Sequence, residues 1–140
     1  MFGVLIVTHY RLAEEFLQAV QLIVGELPNF RAIGLDPATP PDEMRQRIEA
    51  ALKQVDGPAG VLMLVDMFGG TPSNLCMSFL DEGRVEVVTG LNLPMIVKLG
   101  RVKEETDLAG IAQIARDYGR RNISVASEVL AGGGRSEDGE

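Results

Sequence analysis

Two short, uninterrupted apolar runs constrain most strongly what this chain can fold into. They cover residues 2–7 and 60–65, and neither shows the polar alternation of a strand with one wet face. Such β-branched runs are typical of central strands in a parallel sheet that is covered on both faces. The first run ends at Thr8 and His9, and the second ends at Asp66. We therefore expect two buried strands that each carry polar side chains at their carboxyl ends.

Helical periodicity alternates with these strands. Apolar residues recur at helical spacing over Leu12–Val24 and stop at Gly25. The remaining pattern predicts a strand over Phe30–Leu35, a helix that begins in the cluster at residues 39–42 and runs to Val55, a helix from residue 72 to about 80, a strand over 84–89, and helices over 95–99 and about 104–118. This alternation predicts an α/β fold, doubly wound around a mostly parallel sheet of four strands, with helices on both faces.

The C-terminal part of the chain has a different pattern. Residues 122–127 alternate apolar and small polar side chains, which predicts a half-exposed antiparallel strand at a sheet edge. Residues 132–140 lack apolar periodicity, and we expect a flexible acidic tail there. Because 140 residues fit one hydrophobic core, we expect a single domain over residues 1–131.

Composition excludes several classes of protein. A formal charge of −7 argues against nucleic acid as the main partner, since phosphate backbones bind clustered Lys and Arg. No apolar run approaches the length of a membrane span, and no signal peptide is apparent, so we expect a cytoplasmic protein without membrane insertion. With one cysteine, Cys76, and one histidine, His9, we expect no disulfide and no metal site.

The polar ends of the two buried strands suggest a site. Parallel α/β sheets bind ligands at the carboxyl ends of strands where the strand order reverses, and there we expect His9 and Asp66 to meet. A carboxylate that accepts a hydrogen bond from Nδ1 leaves a lone pair on Nε2, which makes the imidazole a nucleophile.

A glycine-rich turn follows Asp66. Gly69, Gly70 and Thr71 precede a helix in which Thr71 is a candidate cap and Pro72 a first-turn proline. Backbone N–H groups in such a turn suit a phosphate or another anion. A strand-end histidine is commonly only a polar cap, and Gly-Gly turns are common. Their joint placement favours a phosphoryl group on His9.

Other candidates for chemistry are weaker. Ser73 and Ser78 lack the sequence of a nucleophile elbow, and no second histidine is present to act as a base. Cys76 has apolar neighbours and is interpreted as a small buried hydrophobe. Arg11 fits either a solvated side chain or a contact for incoming phosphate, and both interpretations stay open.

Three blocks of sequence carry a resemblance to a known family. VLIVTHY at residues 4–10, GVLMLVDMFGGTPSN at 60–74 and TGLNLPM at 89–95 resemble the mannose-type IIA components of the bacterial phosphoenolpyruvate-dependent sugar phosphotransferase system. The resemblance extends over residues 2–129 and implies the strand order 2-1-3-4. It also implies that His9 is phosphorylated, that Asp66 orients it, and that Thr71 belongs to the phosphate-binding turn. The residues expected to bind phosphate are Thr8, Phe68, Gly69, Gly70 and Thr71.

Two residues depart from the family pattern. Tyr10 stands where the family usually has glycine, and Phe68 stands where some members have tryptophan. No IIB domain follows the sheet, so the chain resembles a stand-alone IIA component.

The resemblance also implies a function and partners. His9 would accept phosphate from the phosphocarrier HPr and pass it to a IIB component for sugar uptake, without a cofactor. Family members form homodimers by exchanging a C-terminal antiparallel strand, and we expect the same here. Two alternatives stay open: a regulatory binding module that is not coupled to transport, and the phosphotransfer subunit of a dihydroxyacetone kinase. The resemblance is also compatible with association with a membrane transporter complex, and it does not name the sugar.

Overall fold

A computed structural model describes residues 1–103 and 106–132, which form four strands and six helices. In chain order these are β1 (Gly3–His9), α1 (Leu12–Val24), β2 (Phe30–Leu35), α2 (Pro41–Val55), β3 (Val61–Val65), α3 (Thr71–Met77), β4 (Val85–Thr89), α4 (Leu93–Arg101), α5 (Leu108–Arg121) and α6 (Ala126–Gly132). Strands and helices alternate as predicted as far as α4.

The four strands form one parallel sheet in the order β2-β1-β3-β4, which confirms the predicted order. The central strand β1 pairs on both sides, with Val7 opposite Ile33 of β2 and Val65 of β3. The chain runs from β1 outward to β2 and then returns to β3 on the other side. The carboxyl ends of β1 and β3 therefore meet where the strand order reverses.

Alternate residues of the central strands face two separate apolar cores. On β1, Val4 and Ile6 belong to a core that is completed by α1, α4 and α5. Leu5 and Val7 belong to a second core, which is completed by α2 and α3. All four side chains are fully buried, as the absence of polar alternation in this run requires. Helices thus cover both faces, as predicted.

Capping residues decide where two of the helices begin. The Asn92 side chain accepts a hydrogen bond from the Met95 N–H (3.1 Å), so α4 begins at Leu93, two residues earlier than predicted. The Asp107 side chain accepts one from the Gly110 N–H (2.9 Å), so α5 begins at Leu108. Two residues of its predicted start, 104 and 105, lie outside the described residues.

No helix in the described ranges is both long and apolar enough to cross a membrane.

The single chain does not show the antiparallel strand predicted over residues 122–127. Residues 122–125 pair with no strand among the described residues, and α6 follows directly. The Val125 carbonyl accepts hydrogen bonds from the N–H groups of Glu128 (3.0 Å) and Val129 (3.2 Å). A strand needs a neighbour for its backbone groups, and without one these groups are satisfied locally by a helical turn. The predicted acidic tail lies outside the described residues from 133 onward.

Candidate functional site

His9 and Asp66 lie together at the carboxyl ends of β1 and β3, as predicted. One oxygen of Asp66, Oδ2, accepts hydrogen bonds from both the backbone N–H and the Nδ1 of His9, each at 2.9 Å. The other oxygen, Oδ1, accepts one from the backbone N–H of Met67 at 3.1 Å. The carboxylate thus holds both the main chain and the ring of His9.

The charge of Asp66 determines the tautomer of His9. Burial raises the pKa of the Asp66 carboxyl, but the hydrogen bonds from the His9 backbone and ring outweigh burial and hold the pKa below its usual value of 3.8. An ionised carboxylate can only accept hydrogen bonds, so in the neutral imidazole Nδ1 carries the proton and Nε2 has a free lone pair. The His9 side chain is 48% exposed and that of Asp66 only 14%. A largely buried carboxylate therefore fixes the orientation of the imidazole, while the ring itself is accessible to solvent.

The two-glycine turn passes close to Nε2. Gly69 and Gly70 have φ angles of 88° and 87°, in the left-handed region that disfavours side chains. A Cβ on Gly70 would lie 3.4 Å from His9 Nε2, whereas one on Gly69 would have no neighbour within 4 Å. Glycine at position 70 therefore leaves open the space beside the nucleophilic nitrogen.

The start of α3 supplies unpaired donors beside this space. Gly70 is the residue before the helix, and Thr71 lies inside it, so the cap expected from the Thr71 hydroxyl is not made. Among the described residues, no protein acceptor pairs with the backbone N–H groups of Gly69, Gly70 and Thr71. These three groups are available to the oxygens of an anion.

Four exposed apolar side chains follow the strand ends that carry His9 and Asp66. These side chains belong to Tyr10 (58% exposed), Leu12 (50%), Met67 (57%) and Phe68 (70%). We refer to them together as the apolar rim. Tyr10 and Leu12 follow the end of β1 by one and three residues, and Met67 and Phe68 follow the end of β3 by two and three. Exposed apolar side chains that share one face are typical of protein contact surfaces.

Comparison with known proteins decides the family. A family described as "PTS system fructose IIA component" matches residues 3–115. The chain belongs to this mannose-type IIA family. It is 28% identical over 131 residues to the fructose-specific EIIA component of Bacillus subtilis (strain 168), which covers 93% of this chain and 90% of that protein.

Two further relatives agree. The mannose-specific EIIAB component of Escherichia coli (strain K12) is 29% identical over 123 residues, which are 86% of this chain and 38% of that protein. This IIA chain thus spans well under half the length of that curated relative. The mannose/sorbose-specific IIA subunit from Enterococcus faecalis is 28% identical, with a TM-score of 0.79 over 88% of this chain and 92% of that one.

Thr8, which was expected to bind phosphate, makes other contacts in this IIA component. The Thr8 side chain is fully buried, and its hydroxyl accepts a hydrogen bond from the Ala13 N–H (2.7 Å) and donates to the Tyr10 carbonyl (3.4 Å). Its hydroxyl therefore stabilises the first turn of α1, as capping hydroxyls do, and is not available to phosphate. The Phe68 ring belongs to the apolar rim, and a contact between Phe68 and phosphate stays a prediction.

The structure shows three features of the site that sequence reasoning missed. Tyr10 has a φ of 49°, a left-handed conformation that its side chain disfavours. Gly34 has no Cβ because one would collide with the Tyr10 carbonyl oxygen. The Ser73 hydroxyl is fully buried, with no partner among the described residues. None of these leaves a local sequence signal, since each depends on residues that are distant in the chain.

The structure confirms the interpretation of Cys76 as a buried small hydrophobe. The side chain is fully buried. Burial, followed by the nearby charge of Asp66, raises the pKa of its thiol to about 12. The thiol therefore stays protonated at physiological pH.

Proposed function

We propose that this IIA component is a phosphoryl carrier, in which His9 Nε2 accepts a phosphoryl group from phospho-HPr and passes it to a IIB component for sugar uptake. One observation carries the proposal. Asp66 holds Nδ1 at 2.9 Å, while Nε2 is free beside the gap at Gly70. The site then needs no cofactor, because the imidazole itself is the nucleophile.

The transfer step is balanced without a net proton change. The lone pair of His9 Nε2 attacks phosphorus as the N–P bond of the donor phosphohistidine breaks, and the donor nitrogen keeps that electron pair. His9 keeps its proton on Nδ1 and becomes a phosphorylated imidazolium. The Asp66 carboxylate, 2.9 Å from Nδ1, stabilises the positive charge that develops on the ring.

The turn beside Nε2 has a matching role. The free N–H groups of Gly69, Gly70 and Thr71 donate to the equatorial oxygens of the phosphoryl group. Phosphoryl transfer depends mainly on positioning and on charge stabilisation, so donors that are already in place lower the barrier.

The surface around the site supports the proposed partners. Donor and acceptor must each bring a nitrogen in line with His9 Nε2, and the apolar rim gives them a surface to dock on. A net charge of −7 favours partners with basic patches, because long-range attraction speeds their encounter. We place the protein in the cytoplasm as a homodimer, without nucleic acid as a partner.

Phosphorylation can be tested directly. The chain is incubated with phosphoenolpyruvate, enzyme I and HPr, and the phosphate bound per chain is measured together with its stability in acid and base. Because His9 is the only histidine, we expect one acid-labile, base-stable phosphate per chain and none in His9→Gln. NMR of the phosphorylated ring then assigns the nitrogen. Phosphate on His9→Gln, or on Nδ1 of the wild type, would overturn the proposal.

Onward transfer tests the transport role. Purified phosphorylated chain is mixed with the IIB component of a mannose-type system from the same cell, and loss of phosphate from His9 is followed. Rapid transfer to IIB supports the carrier function. A phosphorylated chain that no IIB component discharges would contradict it and favour a regulatory module.

A further inference from the structure

Tyr10, directly after His9, has an unfavourable backbone conformation that its side chain does not require. It is the only non-glycine residue with a positive φ (49°) in the described part of the chain. The turn is held from outside, since the Tyr10 N–H donates to the Leu35 carbonyl (2.9 Å) and Gly34 packs against the Tyr10 carbonyl. Glycine would adopt this conformation without strain. The backbone conformation therefore does not explain why this position has a tyrosine side chain.

Burial does not explain the tyrosine at position 10, but a contact of its ring with Arg11 does. The Tyr10 side chain is 58% exposed. The guanidinium of Arg11 lies over its ring, with Cζ 5.2 Å from the ring centroid, in a cation–π contact. The ring thus restricts where a long, flexible cationic side chain lies.

Arg11 keeps its charge available. Among the described residues, the ion pairs join His9 to Asp66, Arg84 to Asp56, and Arg116 to Asp117, and none includes Arg11. A cation held by an aromatic face is not neutralised, as it would be by a carboxylate. Its guanidinium still offers a planar set of donors to an oxyanion.

A phosphoryl group on His9 needs such a cation. It carries about two negative charges at neutral pH and adds them to a site that already contains the Asp66 carboxylate. The Cα atoms of His9 and Arg11 are at most about 7.6 Å apart, because consecutive Cα atoms are about 3.8 Å apart. The arginine side chain is long enough to span that separation.

We propose that Arg11 binds the phosphoryl oxygens on His9 and that Tyr10 is a positioning residue that holds the guanidinium for this contact. The inference depends on the proposed function, since it concerns the phosphorylated form. Arg11 touches the reacting group, whereas Tyr10 acts through Arg11.

The experiment uses the full chain and four variants in two matched pairs. Arg11→Gln removes the charge, and Arg11→Lys keeps it without the planar fork. Tyr10→Leu keeps a bulky side chain in the strained turn but removes the aromatic face, and Tyr10→Phe keeps that face. Each protein is phosphorylated with phosphoenolpyruvate, enzyme I and HPr. The pKa of the phosphoryl group is then measured by ³¹P NMR titration, and the rate of transfer from phospho-HPr by rapid quench.

We expect Arg11→Gln to raise the phosphoryl pKa by about one unit and to slow transfer about tenfold, the effect of one charged hydrogen bond. Arg11→Lys should recover part of both changes. Tyr10→Leu should move both in the same direction by a smaller amount, while Tyr10→Phe should match the wild type. Arg101→Gln is the control for net charge, because Arg101 follows Gly100, which lines a cavity with Met1 and Phe2 at the opposite end of the sheet.

Three outcomes would overturn the inference. The first is a phosphoryl pKa in Arg11→Gln that equals the wild-type value. The second is an equal loss of transfer rate in Arg11→Lys and Arg11→Gln. The third is the same phosphoryl pKa and transfer rate in Tyr10→Leu and Tyr10→Phe. Each presupposes a wild-type chain phosphorylated on His9. Failure of the wild type to accept phosphate would instead contradict the proposed function, so the two failures are distinguishable.

Discussion

Asp66 links the chemistry of His9 to the stability of the fold. Its Oδ2 accepts two hydrogen bonds from a residue 57 positions away, and its side chain is only 14% exposed. The same contact therefore joins β1 to β3 at their carboxyl ends and holds the imidazole in the tautomer needed for nucleophilic attack. A change at Asp66 should be visible in both properties.

We predict that Asp66→Asn lowers the free energy of unfolding by about 1 kcal/mol or more at neutral pH, the usual range for a charged hydrogen bond. The pKa of Asp66 is lower in the folded than in the unfolded protein. The ionised carboxylate therefore contributes its full amount to the free energy of unfolding above the pKa of the unfolded protein, near 3.8. This contribution is lost as the pH falls through the lower pKa of the folded protein. Urea unfolding at pH 7, 5, 4 and 3 measures it.

The difference between wild type and Asp66→Asn should be constant from pH 7 to 5 and should shrink below about pH 4. Phosphoryl acceptance by the variant should be slower but not abolished, because asparagine can still accept a hydrogen bond from Nδ1. Two stability profiles that stay parallel down to pH 3 would show that the charge of Asp66 contributes nothing to folding.

At the level of secondary structure, the turn between β3 and α3 leaves space beside the nucleophile. Its two glycines have nearly the same φ, 88° and 87°, but different surroundings. A Cβ on Gly70 would lie 3.4 Å from His9 Nε2 and 3.5 Å from Cε1, and one on Gly69 would point into open space. The two positions therefore separate backbone strain from obstruction of the site.

We predict that Gly69→Ala and Gly70→Ala each lower the free energy of unfolding by about 1–2 kcal/mol, because both place a Cβ in a left-handed backbone. Only Gly70→Ala should also obstruct Nε2, and we expect it to slow phosphoryl acceptance about 10- to 100-fold more than Gly69→Ala does. Urea unfolding and rapid-quench transfer measure the two effects. Equal transfer rates in the two variants would show that the phosphoryl group approaches from another side.

In the whole molecule, the sheet has one poorly covered edge. All five residues of β4 are only partly buried, and a cavity of about 500 Å³ lies between β4 and α5, with Ile123 in its wall. The C-terminal segment beyond α5 covers little, since Ile123, Val125 and Leu130 are 75%, 59% and 85% exposed. Apart from one bridge between Val85 and Asp81, the outer edge of β4 pairs with no strand in the described part of the chain. Such an edge and an exposed apolar segment in one chain suit exchange between two subunits.

We predict a homodimer in which the segment after α5 pairs with β4 of the partner. Truncation after Asn122 should give monomers in sedimentation velocity that tend to aggregate through the free edge. This position keeps α5 intact, together with the hydrogen bond from the Asn92 side chain to the Gly119 carbonyl (3.0 Å). A truncated chain that sediments as the same dimer would place the interface elsewhere.

Point variants give a milder form of the same test. Ile123→Ser and Val125→Ser alter side chains that are exposed in the single chain, so they should cost an isolated subunit less than about 0.5 kcal/mol. In a dimer that buries these residues, the same changes should raise the dissociation constant.

Much of this molecule follows from local sequence patterns. The apolar runs predicted the central strands β1 and β3, because only strands covered on both faces lack polar alternation. Helical periodicity predicted the bounds of α1, and the polar residues at the strand ends predicted that His9 and Asp66 meet. These predictions succeed because burial and periodicity act on every residue of an element, so the signal repeats along the chain.

What could not be predicted depends on contacts between residues far apart in the chain. Thr8 was expected to bind phosphate, but its hydroxyl accepts a hydrogen bond from the Ala13 N–H in α1. This contact depends on where α1 lies relative to the end of β1. The left-handed turn at Tyr10 is held by Gly34 and Leu35 of the neighbouring strand. The alternation of residues 122–127 forms no strand within the single chain, because a strand also needs an edge to pair with, and only the packing of the chain or of two subunits brings such an edge within reach.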